Sequence, residues 1–327
     1  MYDIITFGSA SLDIFIKPKE FIKIKNKKKF TTGKGVCFDI GSKVDIDKIF
    51  FASGGGGTNT ATTFAKQGFK VAFCGKLGDD IAGKKIIEEL KKNNIDINFV
   101  FFTKKASTNH SIVLTGFDKD RMIFVFRGAS ELLKKEEIPF SKLKAKWLYL
   151  APLSGKLCDS FEILVDYAYK NNIKLAVNPG HSQLSLPFLK LKRIIQKINV
   201  FILNQEEAAF LAKMPFQKEK EIFEKIDNLC PNIFIMTKGD RGAVISDKKY
   251  FYSIKAPKTK VVDKTGAGDA FASGFLSGFI LKNGDVDYSI SLAISNAVSC
   301  LKKIGAKNGL LEKNGRLIKI KIDKKRR

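Results

Sequence analysis

The chain has 327 residues, 44% hydrophobic and 28% charged, the balance of a folded globular protein with a sizeable core. It contains no run of about 18 apolar residues, so no membrane partner is expected. The opening MYDIITFGSASLDIF lacks the basic leader and cleavage site of a secretion signal. The formal charge of +25 invites a nucleic-acid reading, but the excess is nearly all lysine. Arginine, the better bidentate reader of phosphates and bases, occurs only at Arg121, Arg127, Arg193, Arg241, Arg316, Arg326 and Arg327. The lysines alternate with apolar residues as on solvated faces, except at Lys23 to Lys29 and in the tail from Lys324 to Arg327, so no specific nucleic acid is expected. The cysteines Cys37, Cys74, Cys158, Cys230 and Cys300 form no C-x-x-C pair. That argues against a zinc ribbon or a disulfide framework and suits a reducing cytoplasm.

In chain order, short β-branched and aromatic runs alternate with helical spacing. Ile4 to Phe7 reads as a strand, and residues 14–51 as strands and loops without a helix. Val71 to Cys74 is a strand; Asp80 to Asn93 places apolar residues at 81, 86, 87 and 90, which predicts a helix. Residues 99–127 again lack helical spacing. Within them Ser111 to Phe117 and Met122 to Phe126 flank a polar turn, Asp118-Lys119-Asp120, a hairpin pattern. Strands then read at Trp147 to Leu150, Lys174 to Val177, Val200 to Leu203 and Ile233 to Met236. Helices read at Phe161 to Asn171, Phe188 to Lys197, Glu206 to Lys213, from about Ala267 and from Val286. This alternation predicts an α/β fold, a mostly parallel central sheet with helices on both faces. The two helix-free segments would form a small β-sheet lid. No Gly-, Ser- or Pro-rich linker and no internal repeat interrupts residues 1–327, which read as a single domain.

The stretch with most chemistry is Val261-Val262-Asp263-Lys264-Thr265-Gly266-Ala267-Gly268-Asp269-Ala270-Phe271. An apolar pair leads into a glycine turn and then a helix rich in small residues. Glycines at a helix N-terminus let backbone N–H groups approach an anion, where the helix end adds roughly half a positive charge. A carboxylate at that corner, Asp269, can take the proton of an attacking hydroxyl. A plain helix cap is the alternative for an isolated Gly-x-Gly-Asp. No Walker A sequence and no G-x-S-x-G elbow is present, and His110 and His181 show no metal spacing.

DKTGAGDAF resembles the C-terminal signature of the ribokinase-like, phosphofructokinase-B-type carbohydrate kinases. Further stretches resemble the family's motifs in the family's order: GSASLD at 8–13, GGGGTN at 54–59, VAFCGKLGDDIAGKKI at 71–86, Asn178-Pro179-Gly180, Asn204-Gln205-Glu206-Glu207 and TKGDRG at 237–242. The resemblance implies a ribokinase-like three-layer fold and ATP-dependent phosphoryl transfer to a sugar or sugar-like hydroxyl. Asp269 would be the catalytic base, and Gly266, Ala267 and Gly268 would form the anion hole. Ser11, Asp13, Gly55, Gly56, Gly57 and Asn59 would bind the acceptor. Asn204, Glu207, Thr237, Gly239, Gly242, Gly268 and Asn296 would bind ATP, with Glu207 reaching Mg²⁺ through water. Asp263 and Thr265 would hold a monovalent cation such as K⁺, and the lid would support a homodimer. Gly56 stands where ribokinases usually have lysine, Ser11 where they usually have asparagine, and residues 151–155 lack a glutamate, so ribose is not fixed as the acceptor. A nucleoside kinase on the same fold is the alternative within the family. A basic nucleic-acid-binding protein on a degenerate kinase fold is the alternative of another class.

Overall fold

The computed structural model describes residues 1–26, 28, 33–117 and 120–327. The first half runs β1 (Tyr2–Phe7), β2 (Ser11–Pro18), β3 (Ile22–Lys25), β4 (Lys34–Cys37), β5 (Ile46–Gly54), α1 (Gly56–Lys66), β6 (Val71–Gly78), α2 (Ile81–Lys92), β7 (Asp96–Thr103), β8 (Asn109–Phe117) and β9 (Asp120–Phe126). Then follow β10 (Ala145–Leu150), α3 (Gly155–Asp159), α4 (Phe161–Lys170), β11 (Lys174–Val177), α5 (His181–Leu184), α6 (Phe188–Ile195), β12 (Val200–Asn204), α7 (Gln205–Ala212) and α8 (Glu219–Asp227). The chain ends with β13 (Ile233–Thr237), β14 (Ala243–Ser246), β15 (Tyr250–Ile254), α9 (Ala267–Leu281), α10 (Val286–Cys300) and β16 (Ile322–Arg326).

Ten strands form the central sheet in the order β16-β15-β14-β13-β12-β11-β10-β1-β6-β7. From β7 to β13 all neighbours are parallel, and β14 to β16 extend one edge antiparallel. Alternate side chains of one strand enter different cores. Ile5, Leu148, Leu175, Phe201 and Phe234 pack on one face, and Ile4, Trp147, Ala176, Val200 and Ile235 on the other. Both faces are covered by helices, which is why these strands read as continuous apolar runs rather than alternating ones. Fully burying a side chain such as Phe201 or Phe275 contributes about 1.5–3 kcal/mol.

The predicted elements from β10 to α10 lie where the spacing puts them, within one or two residues at their ends. The helix α1 has no counterpart in the predicted elements. Its sequence, GGTNTATTFAK, is rich in poor helix formers. It is helical because it is buried: Thr58, Thr60, Thr62, Thr63 and Phe64 are all buried, and the hydroxyls of Thr58, Thr60 and Thr62 donate to carbonyls four residues back. The antiparallel edge β14–β16 was likewise not among the predicted strands.

A second sheet, β5-β2-β8-β9, stands apart as the lid, with β2 antiparallel to β5, parallel to β8, and β8 antiparallel to β9. It draws on both helix-free segments, although residues 99–103 belong to the central sheet through β7 and the lid strand β2 begins at Ser11. The β3–β4 pair forms a separate hairpin within the insertion between β2 and β5. Residues 118 and 119 of the predicted polar turn, and residues 27 and 29 of the lysine cluster, lie outside the described residues. Among the described residues no helix is long and apolar enough to cross a membrane, and the cysteines are free thiols.

Candidate active site

The N-terminal ends of α1 and α9 converge below the lid. Gly266 caps α9 with φ of 75°, and a Cβ there would lie 2.3 Å from the Ala306 Cβ, so both backbone sign and space demand glycine. Asp269 sits in the first turn of α9. Asn59, in the first turn of α1, donates from Nδ2 to Asp269 Oδ2 at 2.8 Å. The pair joins residues 210 positions apart in sequence. Asn59 Oδ1 is buried and has no protein partner, an acceptor waiting for a donor. Asp269 is half-buried, with Gly56 of the facing loop beside its carboxylate. Burial pushes its carboxyl above the ordinary range, opposed by the Asn59 amide and by the charge of Lys307. No side chain caps α9, so its end is left free to meet an anion, and the helix-cap reading of Asp269 has no hydrogen bond behind it.

The glycine run shapes the other wall. Gly55 precedes α1 with φ of 94°, and a Cβ there would clash at 2.5 Å with the Ser9 carbonyl oxygen. Gly57 N donates to that carbonyl at 3.0 Å, which pins the loop. A Cβ on Gly56 would come 3.6 Å from Asp269 Oδ1, so Gly56 borders the base. Asp13 projects from β2, buried, and its Oδ1 accepts from Ser11 Oγ at 2.9 Å. Burial raises the Asp13 carboxyl; hydroxyls of Ser11 and Ser111 and the charge of Lys307 oppose that, while Asp263 adds to it.

On the far side of Gly268 lies a cavity of about 520 Å³. Thr237, Gly239 and Gly242 line it together with Lys264, Ala267 and Gly268 and the apolar side chains of Phe271, Ile294 and Val298. The size and the mixture of polar loop and apolar helix residues suit a nucleotide. Asn204 ends β12 beside Thr237 on β13. Its Oδ1 accepts from Glu207 N and Glu207 Oε2 accepts from Asn204 N, both at 2.8 Å, a reciprocal cap on α7. Burial pushes the Glu207 carboxyl up to about 6, countered by the Asn204 N–H and reinforced by Glu206 and Asp269. No group of three His, Cys, Asp or Glu side chains that could cage a metal exists among the described residues. A single half-buried carboxylate fits Mg²⁺, which keeps most of its waters and takes phosphate oxygens.

Two expectations are corrected. Asn296 does not line the cavity. It is fully buried, its Nδ2 donating to the Ala270 carbonyl at 2.8 Å and its Oδ1 accepting from Leu311 N at 2.8 Å. It ties α10 to α9, and no amide group is left over for a base. The cation ligands do not fit a monovalent metal either. Asp263 Oδ1 accepts from Arg121 Nη1 at 2.9 Å and from Thr265 N and Oγ1 at 3.0 and 2.8 Å; Asp263 Oδ2 accepts from Gly305 N at 2.9 Å. The Thr265 carbonyl has Cys300 Sγ at 3.5 Å. Both Asp263 oxygens are engaged by donors, and the Arg121 guanidinium already supplies the positive charge there.

The sequence reading also missed two residues. Lys307 is only 6% exposed; its Nζ donates to Ser53 Oγ at 2.8 Å and lies 3.3 Å from Glu89 Oε1. Arg121 reaches the site from the lid, whereas Arg127, at the end of the lid hairpin, is exposed as a surface arginine would be. No periodicity marks a lone lysine or arginine in a loop or hairpin, so neither carried a signal.

The pfkB family carbohydrate kinase profile matches residues 38–314. Probable fructokinase-5 of Arabidopsis thaliana is 27% identical over 275 residues, 78% of this chain and 84% of that protein. Among solved structures, Arabidopsis thaliana ribokinase complexed with ribose and ATP superposes with a TM-score of 0.76 at 19% identity, covering 96% of this chain and 97% of the other. The Methanocaldococcus jannaschii nucleoside kinase, an archaeal member of the ribokinase family, gives 0.72 at 22% identity, covering 94% and 95%. The fold is that of ribokinases, and the chain belongs to the pfkB family of carbohydrate kinases.

Proposed function

We propose that the chain transfers the terminal phosphoryl group of ATP to a primary hydroxyl of a sugar or sugar-like molecule, with Asp269 as the general base. The observation that carries this is the Asn59–Asp269 pair at the junction of two helix N-termini, with a nucleotide-sized cavity on one side and the lid carboxylate Asp13 on the other. Asp13 and the unpaired Asn59 Oδ1 would take acceptor hydroxyls, aided by Ser11 and the backbone at Gly55, Gly56 and Gly57. A hydroxyl held there would face Asp269, which accepts its proton as the oxygen attacks phosphorus. The N–H groups at Gly266, Ala267, Gly268 and Asp269 would stabilise charge on the phosphoryl oxygens. Glu207, with Asn204 fixing its carboxylate, would hold Mg²⁺ through water beside the phosphates; bound there, the ion neutralises phosphate charge. Thr237, Gly239 and Gly242 would border the nucleotide. A lid lowered over the acceptor excludes water from the phosphoryl group.

The same reading makes residues 1–327 one catalytic unit acting in the cytoplasm, without a specific nucleic-acid partner. It extends to a homodimer through the lid. Phe51, Ile112 and Phe124 lie side by side across the lid strands on one face and are 45%, 38% and 54% exposed, an apolar row that a second lid would cover.

The deciding experiment measures ATP consumption and product mass against a panel of sugars, sugar phosphates, sugar acids and nucleosides. One acceptor should gain a single phosphoryl group, and its class settles sugar against nucleoside. A panel that returns no phosphorylated product removes the kinase activity. Asp13→Ala should then cut acceptor kcat/KM by about 10²-fold or more, the scale of leaving polar partners unpaired. ATP affinity measured by calorimetry should stay the same. Equal loss of both would make Asp13 a structural residue of the lid.

A further inference from the structure

Resting on the kinase reading, we propose that Arg121 of the lid takes the place of a monovalent cation beside the anion loop, so that the loop is ordered by lid docking and not by potassium. Arg121 belongs to β9, the outer strand of the lid, yet its Nη1 donates to both Asp263 Oδ1 and Thr265 Oγ1 at 2.9 Å. These partners lie 142 and 144 residues away in sequence. The Asp263 side chain is 8% exposed and that of Arg121 29%, so the ion pair is partly withdrawn from solvent. A charge-assisted hydrogen bond is stronger and more directional than a neutral one, and a guanidinium fixes the plane of its partner.

The consequence follows from chain connectivity. Thr265 is bonded to Gly266, and the next two residues supply N–H groups at the start of α9. Holding Asp263 and Thr265 therefore holds the entry to the anion hole. Asp263 also accepts from Gly305 N, on the loop after α10 that carries Lys307. One carboxylate thus joins the lid, the anion loop and the C-terminal loop. A metal ion at this position would need the Asp263 carboxylate as a ligand, and both of its oxygens face donors, one of them the Arg121 guanidinium that already supplies the positive charge. The positive charge that neutralises Asp263 is covalently part of the lid. When the lid lifts, that charge leaves with it, and the loop loses its clamp. Acceptor binding, by drawing the lid down, would organise the phosphate end of the site.

The test compares the full chain with Arg121→Ala and Arg121→Lys in potassium chloride and in tetramethylammonium chloride at equal ionic strength. Thermal melts come first. The wild type should melt at the same temperature in both salts. In Arg121→Ala the freed Asp263 should accept the small cation, so potassium should raise its melting temperature, and Arg121→Lys should restore indifference. With an acceptor in hand, wild-type turnover should be equal in both salts. Arg121→Ala should lose about 10- to 100-fold in tetramethylammonium, the scale of one hydrogen bond between charged groups, and potassium should return part of that loss. A wild-type melt raised by potassium, or an Arg121→Ala protein indifferent to it, overturns the inference. The melts need no acceptor and no turnover, so an empty acceptor panel would count against the kinase reading and leave this result standing.

Discussion

Asp269→Asn is expected to lower turnover by about 10²–10⁴, the usual contribution of a general base, while the protein stays folded and binds nucleotide. Asparagine keeps the size of the side chain, and its Oδ1 can still accept from Asn59 Nδ2, which now bonds Asp269 at 2.8 Å. What is lost is the site for the acceptor's proton. The backbone N–H groups around Gly268 that would face phosphate are untouched, so ATP affinity by calorimetry should match the wild type. A helix-capping role predicts the opposite pattern, since asparagine caps about as well as aspartate and activity would survive. The structure already argues against capping, because α9 begins at Gly266 without a side-chain cap. Turnover of Asp269→Asn near the wild-type value would take Asp269 out of the mechanism.

The second large effect is expected at Lys307. Its ammonium is buried beneath the root of the lid, bonded to Ser53 Oγ, which itself donates to Glu89 Oε2 at 2.5 Å. Ser53 pairs with Leu12 in the lid, next to Asp13. Burial pulls the Lys307 pKa down, and the charges of Glu89, Asp13 and Asp269 oppose that. In return Lys307 favours the ionised forms of Asp13 and Asp269, both of which burial pushes upward. The sign is fixed: a base works only when deprotonated, and removing a nearby positive charge raises its pKa. Lys307→Met should therefore move the acid limb of the kcat/KM profile to higher pH. Each unit of displacement costs about tenfold in rate at a fixed pH on that limb, and raising the pH should recover activity. The melting temperature should fall as well, because the ammonium's removal leaves Glu89, Asp13 and Asp269 without their shared counter-charge, so the displaced acid limb, which lost packing alone would not produce, is the deciding readout. A lower rate with the acid limb unmoved would reduce Lys307 to a packing element of the lid root.

Much of this protein was legible in its sequence because the relevant physics is local. The parallel strands announce themselves as apolar runs, since helices cover both faces of the sheet, and α2, α4, α9 and α10 carry helical spacing. Gly266-Ala267-Gly268-Asp269 marks a turn that only glycine can make, followed by a carboxylate at a helix end, and the family's motifs occur in order around it. Asp13, Asn59, Asp269, Thr237 and Gly239 could be named for that reason; in the structure Asn59 bonds Asp269, and Thr237 and Gly239 line the cavity that Gly268 borders. The rest depends on contacts between segments far apart in the chain, which no local pattern encodes. The helix α1 forms against its own threonine-rich propensities because tertiary burial outweighs them. Asn296, unremarkable among small residues, turns out to be an internal tie whose amide is consumed by Ala270 and Leu311. Asp263 is a motif carboxylate in sequence, but which charge neutralises it was decided by where the lid hairpin lands, and Arg121 lands there. Lys307 becomes a buried charge only when the loop after α10 meets Ser53 and Glu89. Backbone conformation and periodicity belong to neighbouring residues and can be read along the chain, whereas burial, charge pairing and the filling of a site's oxygens belong to the folded whole.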